Sequence, residues 1–221
     1  MKRMLAALAL FGTLMLPGLV QAQGMYIAPK FLMSIQDTGR VERSRSLAGS
    51  DVSDFSQFTV GGAVAAGFDF YPQFGAPLRA ELEFALRGNT EKSWSGAAFE
   101  DVKGKWNNTT LFANVFWDFH NSTAFTPYVG AGLGLAFNYT GYDIKKTNGD
   151  RFSADERHTN FAWNAGAGVA YNFNENFAID ASYRFVGLGY NEVSTTVNNT
   201  KYEIGNQPYI NEFAVGARFT F

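Results

Sequence analysis

Apolar and polar residues alternate at every second position in eight separate runs of this sequence, which predicts an all-β fold: an eight-stranded antiparallel up-and-down transmembrane β-barrel. Three observations carry that expectation. The final run places Phe213, Val215, Ala217, Phe219 and Phe221 on one face and Glu212, Ala214, Gly216, Arg218 and Thr220 on the other. Successive strand residues point to opposite sides, so one face suits hydrocarbon and the other a wet interior. The run from Leu78 makes the same division with charges: Leu78, Ala80, Leu82, Phe84 and Leu86 alternate with Arg79, Glu81, Glu83, Ala85 and Arg87. A slip of one residue would turn four charges toward lipid, at about 2 to 4 kcal/mol for each Arg near the midplane, so the register is strongly specified. Third, the connectors between runs alternate between short and long. An up-and-down barrel puts successive connectors at opposite ends, which gathers the long ones at one end.

The predicted strands are, in order, Met25 to Ile35, Phe58 to Tyr71, Leu78 to Gly88, Thr109 to Phe119, Phe125 to Tyr139, Asn160 to Phe173, Phe177 to Val186 and Tyr209 to Phe221. The first carries Lys30 on its polar side. In the second, Val60, Val64, Phe68 and Phe70 oppose Thr59, Gly61, Gly67 and Asp69; in the fourth, Leu111, Val115, Trp117 and Phe119 oppose Asn114 and Asp118. Glycines at strict period two mark the polar face of the fifth (Gly130, Gly132, Gly134) and sixth (Gly166, Gly168), and in the seventh Ile179, Tyr183 and Phe185 oppose Asp180, Ser182 and Arg184. Short links are expected at Pro72 to Pro77, His120 to Ala124 and Asn174 to Asn176. Long polar ones are expected at Gln36 to Gln57, Asn89 to Asn108, Thr140 to Thr159 and Gly187 to Pro208. Aromatics gather toward the strand ends, Trp117, Phe119, Phe125, Phe173 and Phe177 near the short links and Tyr139 and Phe161 near the long ones, as two interfacial girdles would.

Composition agrees with alternating faces. Hydrophobic residues make up 46% of the chain while mean hydropathy is −0.14, whereas a helical membrane protein shows long unbroken apolar runs. Lys2 and Arg3 followed by the short apolar stretch Met4 to Val20 read as a secretory signal, so residues 1–22 are expected to be cleaved and 23–221 to form the barrel domain. That stretch contains Gly12, Pro17 and Gly18 and is shorter than the roughly 20 residues of a spanning helix. The chain has no cysteine, hence no disulfide, thiolate nucleophile or Cys-based metal site. Formal net charge is −2, and −4 without Lys2 and Arg3, which gives no reason to expect nucleic acid as a partner.

The segments Thr126-Pro127-Tyr128-Val129-Gly130-Ala131-Gly132-Leu133-Gly134 and Phe161-Ala162-Trp163-Asn164-Ala165-Gly166-Ala167-Gly168-Val169, with Tyr183-Arg184-Phe185 and the final strand, resemble the opacity-type family of small bacterial outer-membrane barrels. That family is related in architecture to the OmpA and OmpX type. The resemblance spans nearly the whole chain after the leader but rests on scaffold motifs. It implies a Gram-negative outer-membrane location, lipid and lipopolysaccharide as surroundings, and surface-antigen or adhesin-like roles with a host or matrix ligand at the loops. It also implies that barrel assembly machinery reads the terminal series Phe213, Val215, Ala217, Phe219 and Phe221. A lipocalin-type barrel, polar outside and hollow within, is the soluble rival that alternation alone does not separate.

The inward glycines do not make a dinucleotide loop, which requires a tight turn opening a helix; they make room for Tyr26, Phe112, Phe116 and Tyr128 in a lumen barely wide enough for its side chains. The inward charges are the candidate constellation: cations Lys30, Arg79, Arg87, Arg184 and Arg218, and anions Asp69, Glu81, Glu83, Asp118, Asp180 and Glu212. Buried charges persist when paired, so the expected role is an interior network that holds the barrel shut, with an ion path or acid/base pair as its rival. Only two histidines are present, His120 in a short link and His158 near the far rim; outer-membrane deacylases set a His and a Ser two residues apart, and His158 has Asn160 there. No catalytic residue, cofactor or metal site is therefore expected. The expected function is a non-enzymatic surface barrel displaying four long loops in which charges of both signs mix, solvated and partly flexible by default. A narrow channel is the alternative, and a lipid-modifying enzyme a third reading.

Overall fold

The structure is a computed structural model that describes residues 23–37, 39, 41–43, 56–96, 99–146, 151–197 and 200–221. The expected leader, 1–22, lies outside them, as does much of the first long connector.

Twelve strands are present among the described residues: β1 (Met25–Asp37), β2 (Val41–Arg43), β3 (Ser56–Asp69), β4 (Leu78–Arg87), β5 (Thr90–Gly96), β6 (Phe99–Asp118), β7 (Phe125–Lys146), β8 (Arg151–Asn174), β9 (Phe177–Gly187), β10 (Asn191–Val197), β11 (Thr200–Asn206) and β12 (Tyr209–Thr220). Eight of them, β1, β3, β4, β6, β7, β8, β9 and β12, pair antiparallel in chain order, and β1 closes the cylinder on β12 from Tyr26 opposite Thr220 to Asp37 opposite Tyr209. Closure leaves no free sheet edge in hydrocarbon, where an unpaired backbone group would cost several kcal/mol. Each predicted strand appears in its place.

The facing follows the sequence parity. On β4, Leu82, Phe84 and Leu86 point outward and are exposed, whereas Arg79, Glu81, Glu83 and Arg87 are buried inside. At the short-connector end the outward rings form a continuous belt across four strands: Phe125, Tyr171, Phe173, Phe177 and Phe219 follow one another at centroid distances of 4.9, 4.8, 5.4 and 5.3 Å. Such a belt suits a membrane interface.

Two short links match their simple expectation; the third contains a single helical turn, α1 (Tyr71–Phe74). Asp69 accepts the Tyr71 amide at 2.9 Å, and Gly75 ends the turn with φ 65°, a left-handed conformation that glycine adopts without strain, while its amide returns to the Tyr71 carbonyl.

The long connectors differ from expectation. Where solvated loops were expected, much of the described backbone continues as β-structure. β7 and β8 stay paired to Lys145 opposite Arg151, the outer part of β6 pairs with both β7 and β5, and β10, β11 and β2 form a separate three-stranded sheet. The reason is local. Once the barrel has fixed two neighbouring strands in register, each further residue pair satisfies backbone groups at little extra ordering cost. Segments such as NEVSTTV in β10 also favour strand through their β-branched residues.

Candidate functional site

The lumen is where the fold concentrates its charged side chains. Three carboxylates and three cations alternate in one continuous chain, Glu81, Lys30, Glu83, Arg184, Glu212 and Arg87. Lys30 Nζ lies 2.6 Å from Glu81 and 2.7 Å from Glu83; Arg184 lies 2.6 Å from Glu83 and 2.5 Å from Glu212; Arg87 donates to Glu212 at 2.7 and 3.1 Å. Glu83 and Glu212 are 0% exposed, so these pairs are desolvated, and each needs its partners to stay charged.

Glu212 and Arg184 face each other on the paired strands β12 and β9, but β4, which supplies Glu81, Glu83 and Arg87, adjoins none of β1, β9 and β12. Among the eight barrel strands β4 and β9 stand on opposite sides, so the Arg184–Glu83 pair spans the lumen like a strut, and Lys30 and Glu212 tie β1 and β12 to β4. Neutral donors and acceptors complete the set: Ser34 donates to Glu212 at 2.6 Å, Tyr26 to Glu81 at 3.2 Å, and Arg87 to the Thr110 hydroxyl at 3.1 Å.

A second cluster lies nearer the short-connector end. Arg79 makes a two-pronged pair with Asp118 at 2.6 and 2.9 Å, and its guanidinium carbon lies 4.9 Å from the Phe116 ring and 4.8 Å from that of Tyr128. The Tyr128 hydroxyl donates to Asp180.

Space in the lumen is set by the glycines. A Cβ on Gly168 would lie 2.4 Å from the Tyr128 ring, on Gly67 2.4 Å from Tyr26, on Gly130 2.3 Å from Phe116 and on Gly134 2.8 Å from Phe112. Each bulky inward residue named from the sequence therefore leans over a position without a side chain. Toward the long-connector end Phe112, Ala136, Ala162, Val186, Leu188 and Ile210 form a fully buried apolar plug. What opens between the two is a cavity of about 30 Å³, bordered by Lys30, Glu83, Tyr128, Asn164, Ser182 and Arg184, room for a water molecule or two.

Of the eleven charged residues named from the sequence, the chain unites six; Arg79 with Asp118, and Asp180 with Tyr128, stand beside it. Asp69 is not among them, because its carboxylate faces the rim and accepts the Tyr71 amide there. Arg218 is buried with its Nη1 unpartnered among the described residues and its guanidinium 5.7 Å from the Tyr26 ring. Phe213, Val215, Phe219 and Phe221 are exposed on the outward side. His120 stacks on Tyr71 at 3.7 Å, and His158 stands opposite Asn138 on the long-connector side. Sequence reasoning missed the plug and the supporting hydroxyls of Ser34 and Thr110. The parity that assigned the charges also reaches Val186 and Ile210, whose apolar character hid their inward facing.

Comparison with known proteins agrees with this geometry. Residues 6–221 match the outer membrane protein beta-barrel domain family. The chain is 38% identical over 188 residues to the outer membrane protein PagN of Salmonella typhimurium, covering 76% of this chain and 75% of that one. Two solved structures share the fold: OprG of Pseudomonas aeruginosa, with TM-score 0.53, 14% identity, and 90% and 97% of the two chains covered, and AlkL in lipid bilayers, with TM-score 0.53, 13% identity and 90% of each chain covered. With a closed barrel, an apolar exterior and a matching family, the chain belongs to the outer membrane protein β-barrel family and resides in the Gram-negative outer membrane.

Proposed function

We propose that this protein is a non-enzymatic surface barrel that displays its long connectors for contact with a host, a matrix or other cells and contributes to envelope integrity. The observation that carries the reading is the lumen. Its carboxylates and cations neutralise one another across the barrel and an apolar plug lies beside them, so the interior is built for rigidity rather than passage. Meanwhile β6, β7 and β8 continue past the apolar band and the β10–β11 hairpin pairs with β2, which gives the exposed end a shaped β-surface. The lumen carboxylates Glu81, Glu83 and Glu212 are held by cations, which leaves them poorly placed as general acids or bases. The narrow-channel reading meets the same obstacle.

The barrel assembly machinery enters as a partner through the outward series Phe213, Val215, Ala217, Phe219 and Phe221, and residues 1–22 act as the cleaved leader. Mass spectrometry of the outer-membrane form is expected to give an N-terminus near Gln23.

Deleting 40–53 and 142–156 in turn tests the display role. Loss of adhesion to cells or matrix in at least one deletion, with heat-modifiable migration intact, supports it. Unchanged adhesion and envelope integrity in both would remove its basis.

A further inference from the structure

Beyond the apolar plug, toward the long-connector end, the inward side chains become amides. On β1 and β3, Gln36 and Gln57 stand directly opposite each other, each two residues further out than a buried inward neighbour, Ser34 and Thr59. Successive strand residues alternate faces, so both amides point into the barrel. On β6, Asn108 shares the inward side with Thr110 and Phe112 and is 5% exposed. Asn138 on β7 and His158 on β8 continue its row across the ladder. A strand tilted by about 40° rises roughly 2.5 Å per residue, which sets Asn108 about 10 Å above the plug residue Phe112.

Two buried polar atoms of this collar lack a hydrogen-bond partner among the described residues, Gln57 Oε1 and Asn108 Nδ2. One is an acceptor and the other a donor. The facing of the Gln57 amide is fixed, because its Nε2 donates to the Glu91 carbonyl at 3.2 Å. Glu91 in turn pairs with Lys105, three residues beyond Asn108 on β6. Rows in so tilted a barrel climb about 3 Å per strand from β3 toward β6, which brings Gln57 and Asn108 within a few Å of one height. The two strands flank β4 and stand about 10 Å apart, a span that two inward amides close on one ring-sized molecule. Gln36 and Gln57 are half-buried, so water reaches the collar from the long-connector end. Arg87, just below, is held by Glu212 at 2.7 and 3.1 Å, and the collar therefore presents amides and hydroxyls rather than charge.

We propose that Gln36, Gln57 and Asn108 form a binding site for a neutral hexose unit in the mouth of the barrel. Buried polar groups are nearly always satisfied, so an orphaned donor and an orphaned acceptor at one height mark a place for a molecule that supplies both. Neighbouring hydroxyls of a sugar ring do so: one donates to Gln57 Oε1 and another accepts from Asn108 Nδ2, while Gln36 closes the side beside Gln57. An ion would lose its hydration here without a counter-charge. The Phe112–Ile210 plug stops the molecule below, which makes the mouth a cup and not a path. The site belongs to the barrel wall and is independent of any role of the long connectors in adhesion.

The test uses the full barrel in phosphatidylcholine nanodiscs and saturation-transfer difference NMR with the methyl glycosides of glucose, galactose and mannose, and with methyl glucuronide as the charged counterpart. A saturable signal is expected from at least one neutral glycoside, and Asn108→Leu and Gln57→Leu should each weaken binding about tenfold, the loss of one hydrogen bond. Gln36→Leu should weaken it several-fold, and Glu175→Ala, exposed at the opposite end, should leave it unchanged. A neutral oligosaccharide of the same sugar separates the sources: its binding through the terminal unit supports a chain end as ligand, and binding of the methyl glycoside alone supports a free sugar. Heat-modifiable migration verifies folding, and if Asn108→Leu does not fold, the two glutamine variants decide. No saturable signal from any neutral glycoside, undiminished binding by the folded variants, or tighter binding of the glucuronide would overturn the site.

Discussion

Replacing Arg184 with alanine removes the strut that crosses the lumen, and the structure fixes what it should cost. Arg184 donates to Glu83 at 2.6 Å and to Glu212 at 2.8 and 2.5 Å, and both carboxylates are wholly buried. Breaking a buried ion pair by deleting one partner costs on the order of 3 to 5 kcal/mol, because a desolvated charge is left behind. Two features lower the figure. Glu83 keeps Lys30 at 2.7 Å and Glu212 keeps Arg87 at 2.7 Å, so neither is orphaned. The cavity beside Arg184 also enlarges on truncation, which lets water reach both oxygens. The expected loss is therefore roughly 1 to 3 kcal/mol. Arg184→Lys keeps the charge but reaches one carboxylate at a time, so it should fall between. Urea unfolding in lipid vesicles, followed by tryptophan fluorescence, measures the differences. Glu175→Ala, at an exposed turn, is the reference and should change stability by no more than about 0.5 kcal/mol. If Arg184→Ala costs no more than Glu175→Ala, the lumen pairs contribute nothing to stability and the strut argument fails.

Glycine substitutions should separate inward from outward positions: Gly134→Ala puts a Cβ 2.0 Å from the Leu111 carbonyl oxygen, which cannot yield, whereas Gly62→Ala meets nothing closer than 3.7 Å. The first should sharply reduce the heat-modifiable fraction on a detergent gel and the second leave it unchanged. Leu82→Arg places a cation on the lipid-facing side of β4 and should cost about 2 to 4 kcal/mol in vesicle unfolding; a neutral result would mean the strand is turned the other way. Val186→Asp adds an unpaired carboxylate to the apolar plug and should destabilise by at least ~2 kcal/mol in the same assay.

The parity of β4 was legible because its four charges all fall on one parity and its four large apolar residues all on the other, so a single register satisfies lipid and lumen together. The same rule found Glu212 and Arg218 from the final run. It could not say which charges meet, since pairing across a cylinder depends on stagger and strand order. Arg184 finds Glu83 from the opposite side of the barrel, 101 residues away in sequence. Asp69 obeys the parity yet serves the rim, because the helical turn that draws its carboxylate away leaves no period-two signal. The extended hairpins were hidden for another reason: polar strands outside the bilayer have no buried face, so alternation vanishes while the backbone ladder continues.

Single-channel recording of the folded barrel in planar bilayers tests the closed lumen most directly. A lumen spanned by Lys30, Glu83, Arg184 and Glu212 and sealed by the Phe112–Ile210 cluster predicts no sustained conductance. Steady openings whose size or selectivity changes with Arg79→Ala or Glu83→Gln would contradict it and make the interior a path.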